Sequence, residues 1–183
     1  MQEKPNGIAQ ALVIGEEFID SCPCALVLGD NIFYSACLSK QLQDASNDID
    51  NATVFAYYVQ NPSAYGVVQF DSSGKAVRLE EKPKEHLSDY AVPGMYFYPS
   101  TASSIAKSLK PSARGEYEIT DINKEYMKQG KLNVIKLHRG TAWLDCGTPS
   151  SLNDASNFVR TIQERTGLKI ADLEEIAAAN KWI

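Results

Sequence analysis

Histidine is almost missing from this chain: His86 and His138 are the only two in 183 residues. No serine sits in a G-x-S-x-G turn either, so a Ser-His-Asp hydrolase is excluded. The four cysteines, at 22, 24, 37 and 146, form no C-x-x-C pair. Cys22-Pro23-Cys24 has poor zinc spacing and no matching second pair, which predicts reduced, mostly buried thiols. There is no Walker loop and no G-x-G-x-x-G. Long apolar runs are lacking too. The longest, Ala25 to Leu28 and Val54 to Val59, have strand length, and nothing spans a bilayer. Positive charge is in deficit, 18 basic against 23 acidic residues with a pI near 5.1, and no Lys/Arg cluster offers a nucleic-acid or anionic-membrane surface. No basic-then-apolar leader follows Met1. With 44% hydrophobic residues, the chain has enough apolar material for a core and is not disordered. The expectation is a cytoplasmic globular protein forming a single domain over 1–183.

The order of elements suggests its class. Asn6 would cap a helix over residues 7–15. Residues 24–28 form a continuous apolar run ending at Gly29-Asp30-Asn31, a strand buried on both faces as in a parallel sheet. A short helix over 38–45 and a β-branched, aromatic strand over 52–59 follow. Tyr65 to Asp71 and Lys75 to Glu80, joined by Ser-Ser-Gly, read as an antiparallel hairpin. A strand over 90–98 completes a β region spanning 65–98. Helices over 102–109 and 118–129, the latter closed by Gly130, precede a strand over 131–137, a short loop over 143–147, and helices over 150–165 and 173–181. This alternation predicts an α/β protein with a Rossmann-like, mostly parallel mixed sheet flanked by helices. A doubly wound unit opens with a strand and a ligand-holding turn. Here a helix comes first, so the front of the domain is expected to be missing.

Candidate chemistry lies at strand ends. Asp30 follows an apolar strand, where open α/β sheets bind ligands, and a carboxylate there is either a Mg²⁺ ligand or an Asx turn. Asp145, between Trp143 and the Gly147-Thr148 turn, is a second metal-ligand candidate or a helix N-cap. Lys82, held out of helix by Pro83, extends at the end of a strand as a phosphate contact or part of a solvated charge run. Arg114 is a phosphate clamp or a surface ion pair. Tyr96 and Trp143 are sugar platforms or core aromatics. These residues alone lead as far as metal-dependent chemistry on a phosphorylated ligand.

Five motifs then stand in register: Leu28-Gly29-Asp30-Asn31; Tyr65-Gly66-Val67-Val68; Glu80-Glu81-Lys82-Pro83; Lys110 to Glu116 followed by Glu118 to Asn123; and Trp143 to Thr148. On these the chain closely resembles the glucose-1-phosphate thymidylyltransferases, a family of sugar nucleotidylyltransferases. The resemblance implies their nucleotide-diphospho-sugar transferase fold and Mg²⁺-dependent condensation of dTTP with glucose 1-phosphate to give dTDP-glucose and pyrophosphate, the entry to dTDP-rhamnose. By that resemblance Asp30 and Asp145 hold Mg²⁺, and Lys82 and Arg114 hold the sugar phosphate. Gln2 and Gly7 read the thymine edge. Gly66, Glu81, Val92 and Tyr96 line the glucose pocket, with Trp143 beside it. The family assembles as a homotetramer. It also carries a Gly-rich, triphosphate-cradling loop ahead of the first motif and more helix after the last. The chain is accordingly expected to be a fragment, impaired by itself. A uridylyltransferase and a non-catalytic nucleotide-sugar-binding module are the alternatives.

Overall fold

Residue 2 and residues 4–183 are described by a computed structural model. They form two compact units, one running to Gly29 and including Phe33–Trp143, the other comprising Asp30–Ile32 and Leu144–Ile183. The elements, in chain order, are α1 (Gln10–Ile14), α2 (Glu16–Ile19), β1 (Cys24–Val27), β2 (Asn31–Tyr34), α3 (Leu38–Asn47), β3 (Ala52–Tyr58), a 3₁₀ turn (Pro62–Ala64), β4 (Gly66–Phe70), β5 (Ala76–Glu81), β6 (Tyr90–Val92) and β7 (Met95–Tyr98). They continue with α4 (Ala102–Ser108), α5 (Ile119–Lys128), β8 (Leu132–Lys136), β9 (Ala142–Asp145), α6 (Pro149–Thr166) and α7 (Leu173–Ala179).

The main sheet has the order β1-β7-β3-β6-β4-β5, with β8 also paired to β3. Only β3–β8 is parallel there; the other ladders of this sheet are antiparallel. The sheet is mixed, as expected, but its ladders are mostly antiparallel rather than mostly parallel, and the α/β class stands. The reason is β7. It runs against both β1 and β3, so the two strands share a direction but are separated by an inserted antiparallel neighbour. Residues 90–98 form one path along β3, from Tyr58↔Tyr90 to Thr53↔Phe97, interrupted at Pro93-Gly94. Pro93 has no N–H for the ladder. At Gly94 a Cβ would lie 2.6 Å from Leu28 Cδ1, so the missing side chain admits Leu28, whose N–H donates to Gly94 O at 2.8 Å.

Strand β3 is the centre of the first unit, with Ala52 to Ala56 buried. Val54 and Ala56 join Leu12, Tyr96, Tyr98, Ile122 and Tyr126 in one cluster, while Phe55 and Met95 pack with Ala45, Leu38 and Leu42 of α3 in another. Both faces are therefore covered by helices. Truncating Phe55 to alanine would cost about 3–5 kcal/mol.

Several other expectations change. β1 alternates half-buried and exposed residues, with Val27 exposed, so it is not buried on both faces. Helix α1 begins at Gln10 without a side-chain cap; Asn6 instead accepts a hydrogen bond from Tyr117 N–H at 2.7 Å. Gly7, at φ +109°, turns the chain between the two. The loop expected at 143–147 contains the end of β9, which pairs with β2 in a two-stranded ribbon. Cys22 and Cys37 are exposed and Cys24 and Cys146 half-buried, so the free thiols are not mostly buried. No helix among the described residues is long and apolar enough to cross a membrane.

In the second unit, α6 is started by a capping box: Thr148 Oγ1 accepts from Ser151 N–H while Ser151 Oγ accepts from Thr148 N–H, with Pro149 in the first turn. Gly167 closes it at φ +72°. Asp172 caps α7 by accepting from Glu174 and Glu175 N–H.

Candidate active site

The second unit brings Asp30 and Asp145 together. Cys146 N–H donates to Asp30 O at 2.7 Å, fixing the two chain segments side by side. Asp30 Oδ1 accepts from Asn31 Nδ2 at 2.8 Å, and Asp145 Oδ1 accepts from Gly147 N–H at 3.0 Å. A Cβ at Gly147 would lie 3.1 Å from Asp145 Oδ1 and 3.9 Å from Asp30 Oδ2. The absent side chain leaves a hollow flanked by both carboxylates. Burial, then Asp145 and Asp30, push the Cys146 thiol up, so it stays protonated between them. Asp145 is not the cap of α6, a role taken by Thr148.

Two carboxylates over a hollow fit Mg²⁺, which takes one or two protein carboxylates and fills its octahedron with water and substrate phosphate. Among the described residues no group of three or more His, Cys, Asp or Glu forms a dedicated metal cage. This donor set therefore suits an ion shared with a phosphate better than a structural ion.

The first unit gathers the remaining polar candidates around a cavity of about 520 Å³ lined by Glu81, Lys82, Arg114 and Glu118, together with Lys84 and Lys124. Lys82 sits just past β5. Its N–H donates to Tyr65 O at 2.9 Å, but its φ is +42°, so the backbone is left-handed rather than extended as expected. Pro83 disfavours the right-handed helical region for Lys82 without dictating the extended one. A non-glycine residue there costs energy that the surrounding structure must supply, and such positions cluster at ligand sites. Arg114 reaches three carboxylates: Glu116 at 3.0 Å, Glu118 at 3.5 Å and Glu81 at 3.7 Å.

The carboxyl of Glu81 is pushed above its ordinary range. Burial pushes its carboxyl up and Glu118 adds to this, while the Thr120 hydrogen bond, Lys82 and Arg114 oppose it. Thr120 Oγ1 donates to Glu81 Oε2 at 2.5 Å. Gly66 closes on the same point, since its Cβ would lie 2.9 Å from Thr120 Oγ1, 3.2 Å from Glu81 Oε2 and 3.8 Å from Val92 Cβ. Gly66, Glu81 and Val92 are thus neighbours. Tyr96 is buried and stacked on Tyr98 at 6.0 Å. Trp143 is buried against Tyr57 and Tyr65. Gln2 and Gly7 touch each other, Gln2 Nε2 donating to Gly7 O at 3.2 Å.

Sequence reasoning passed over Thr120, Ser112 and Glu118. Ser112 Oγ donates to Glu118 Oε1 at 2.8 Å, which holds that acid for Arg114. All three lie inside motifs already singled out, but only the fold shows which side chains meet. Lys84 and Lys124 gave no signal beyond being charged.

The family model of nucleotidyl transferases matches residues 1–162. A glucose-1-phosphate thymidylyltransferase of Mycolicibacterium smegmatis is 57% identical over 176 residues, covering 96% of this chain and 61% of the relative. Another so named, from Neisseria meningitidis, is 52% identical over 183 residues, covering 100% of this chain and 64% of that one. The chain thus spans just over three fifths of the length of these curated relatives. Among solved structures, a candidate glucose-1-phosphate thymidylyltransferase of Bacillus anthracis, in complex with a sucrose, superposes with a TM-score of 0.77 at 42% identity, over 87% of this chain and 63% of that one. A UDP-glucose pyrophosphorylase bound to UDP-glucose gives the same TM-score at 24% identity, a likeness of fold.

Proposed function

The chain belongs to the nucleotidyl transferase family, and on that premise we propose that it carries the sugar-phosphate- and nucleotide-binding part of a glucose-1-phosphate thymidylyltransferase. The reaction joins dTTP to α-D-glucose 1-phosphate. A sugar-phosphate oxygen attacks the α-phosphorus, a new P–O bond forms, and the bond to pyrophosphate breaks. The observation that carries this reading is the 57% identity over 176 residues to a relative of that name.

The residues divide the work by charge. Asp30 and Asp145, which both border the space beside Gly147, would hold Mg²⁺. When bound, the ion neutralises phosphate charge and orients the reacting groups. Lys82 and Arg114 bind the phosphate of glucose 1-phosphate, which competes for Arg114 with its carboxylate partners. Glu81 accepts hydrogen bonds from sugar hydroxyls through the oxygen that Thr120 leaves free. Gly66, Val92, Tyr96 and Trp143 shape the sugar pocket, and Gln2 and Gly7 meet the edge of the base. The product is dTDP-glucose.

Assembly as a homotetramer in the cytoplasm completes the proposal. Four free cysteines suit a reducing compartment, and sedimentation velocity reads the assembly directly.

Titration of the chain with dTDP-glucose by calorimetry tests the reading. Saturable binding that weakens in Lys82→Ala and Arg114→Ala supports it. Absence of binding, or binding indifferent to both substitutions, contradicts it. UDP-glucose titrated in parallel distinguishes a uridylyltransferase.

A further inference from the structure

The side chain of Tyr57 is held at both ends. Its backbone lies in β3, in register with Ala91 of β6, and its hydroxyl donates to Thr141 O at 3.0 Å. Between these anchors its ring stands at 81° to the indole of Trp143, with centroids 5.6 Å apart. Perpendicular rings attract through the positive edge of one and the negative face of the other, so the contact depends on angle as well as distance. Thr141 and Trp143 are both buried, and Thr141 immediately precedes β9, of which Trp143 is the second residue. Tyr57 therefore fixes this segment twice, at the Thr141 carbonyl and at the indole itself. A second aromatic neighbour connects the indole to the sugar pocket. Tyr65 lies against Trp143 with centroids 4.9 Å apart, and its carbonyl accepts from Lys82 N–H at 2.9 Å. The residue after it, Gly66, closes on Glu81, Thr120 and Val92.

We propose that Tyr57 is a positioning residue: it sets the angle of the Trp143 indole, and through that platform it sets how far the site prefers a sugar phosphate to phosphate alone. The inference rests on the reading that Trp143 stands beside the sugar while Lys82 and Arg114 hold the phosphate. Those two cations recognise charge, and they meet a phosphate whether or not a sugar is attached. The sugar adds what its hydroxyls and its apolar C–H surface gain. The second gain needs an aromatic surface at contact distance, because dispersion is lost over a fraction of an ångström. An indole fixed by a tethered neighbour offers that surface ready-made. An indole free to turn must be ordered by the ligand, and the lost freedom weakens binding. The Tyr57 hydroxyl is what fixes the angle. Without it the ring still fills its space, but the tether to Thr141 is gone and the two rings turn together.

The test is calorimetric titration of the 183-residue chain with α-D-glucose 1-phosphate and with inorganic phosphate, reading the ratio of the two dissociation constants. In the parent chain glucose 1-phosphate binds more tightly. Tyr57→Phe lowers that preference about threefold and Tyr57→Leu about tenfold, while affinity for inorganic phosphate stays within about twofold in both. A spectroscopic readout follows the indole directly. Trp143 and Trp182 are the only tryptophans, so in a Trp182→Phe background the indole signals come from Trp143. There Tyr57→Phe leaves the emission maximum in place, since the indole stays buried, and weakens the indole bands of near-ultraviolet dichroism, since its angle is no longer fixed. A ratio unchanged in Tyr57→Phe and Tyr57→Leu, while Trp143→Leu collapses it, overturns the role of Tyr57 and leaves the platform standing. Equal losses of affinity for both ligands mark Tyr57 as a merely structural residue and overturn the proposal too. A parent chain without preference for the sugar phosphate, or a Trp143→Leu chain that keeps it, overturns the reading of the sugar pocket and the proposal with it.

Discussion

Thr120 Oγ1 donates a 2.5 Å hydrogen bond to Glu81 Oε2, tying the first turn of α5 to the end of β5. The bond divides the labour of one carboxylate. Oε2 is held by a buried hydroxyl, while Oε1 lies 3.7 Å from Arg114 Nη1. Because Glu81 is largely shielded from water, loss of any partner is felt by the group as a whole.

Thr120→Val keeps the shape and deletes the donor. Stability is expected to fall by about 1–2 kcal/mol, the cost of leaving a shielded carboxylate one partner short. Chemical denaturation of the two proteins at pH 7 measures it. Sugar-phosphate affinity should drop with it, since the free oxygen of Glu81 is no longer aimed.

Stability depends on pH through the same group. Burial raises the folded-state pKa of Glu81 above its ordinary value. Between the unfolded and folded values the native state binds more protons than the unfolded one, so this group's contribution to stability falls as pH rises through that window. Glu81→Gln removes that component. Unfolding free energies of the parent and the variant, measured across weakly acidic pH, should diverge, with the variant gaining relative to the parent as pH increases. Thr120→Val should stretch the window upward, because the Thr120 hydrogen bond favours the charged form.

Gly147→Ala would place a methyl group 3.1 Å from Asp145 Oδ1 and 3.9 Å from Asp30 Oδ2. Gly147 is exposed, so the fold should tolerate the change within about 0.5 kcal/mol. The hollow between the carboxylates would not. The stabilisation against heat that Mg²⁺ and dTTP together confer on the parent should shrink in this variant, and vanish in Asp145→Asn, when thermal shift is compared with and without EDTA.

Arg114→Ala should weaken glucose 1-phosphate binding about 10- to 100-fold. It also leaves Glu118, with a side chain 9% exposed, facing Glu81 without a cation between them. Arg114→Lys restores the charge without the planar fork that meets three carboxylates, and should recover only part of the affinity. Calorimetric titration of the three proteins with glucose 1-phosphate gives the order.

What could be read in advance follows from the range of the interactions involved. Strand β3 was legible because Ala52 to Tyr58 is rich in β-branched and aromatic residues, and the 65–81 hairpin because its turn and strands are adjacent. The parallel expectation came from the alternation of helices and strands. It failed because β7 intervenes between β1 and β3, a pairing that no local pattern encodes. β2 and β9 were missed for the same reason, being four residues each with the partner far away in sequence. The left-handed backbone of Lys82 is a cost repaid by its surroundings, invisible in the dipeptide Lys-Pro. The motif residues Asp30, Asp145, Glu81 and Arg114 could be named from the resemblance. The roles of Thr120 and Ser112 could not, since each is defined by a side-chain hydrogen bond that only the folded chain forms, Thr120 to Glu81 across the fold and Ser112 to Glu118 around a turn.

The most direct measurement is pyrophosphate release by the purified chain with dTTP, glucose 1-phosphate and Mg²⁺. Release above the enzyme-free control, however slow, that requires all three components and falls at least about 100-fold in Asp145→Asn is the predicted result. Release at the parent rate in Asp145→Asn, or no release even when the chain is extended by the upstream segment that the resemblance implies, would contradict the account.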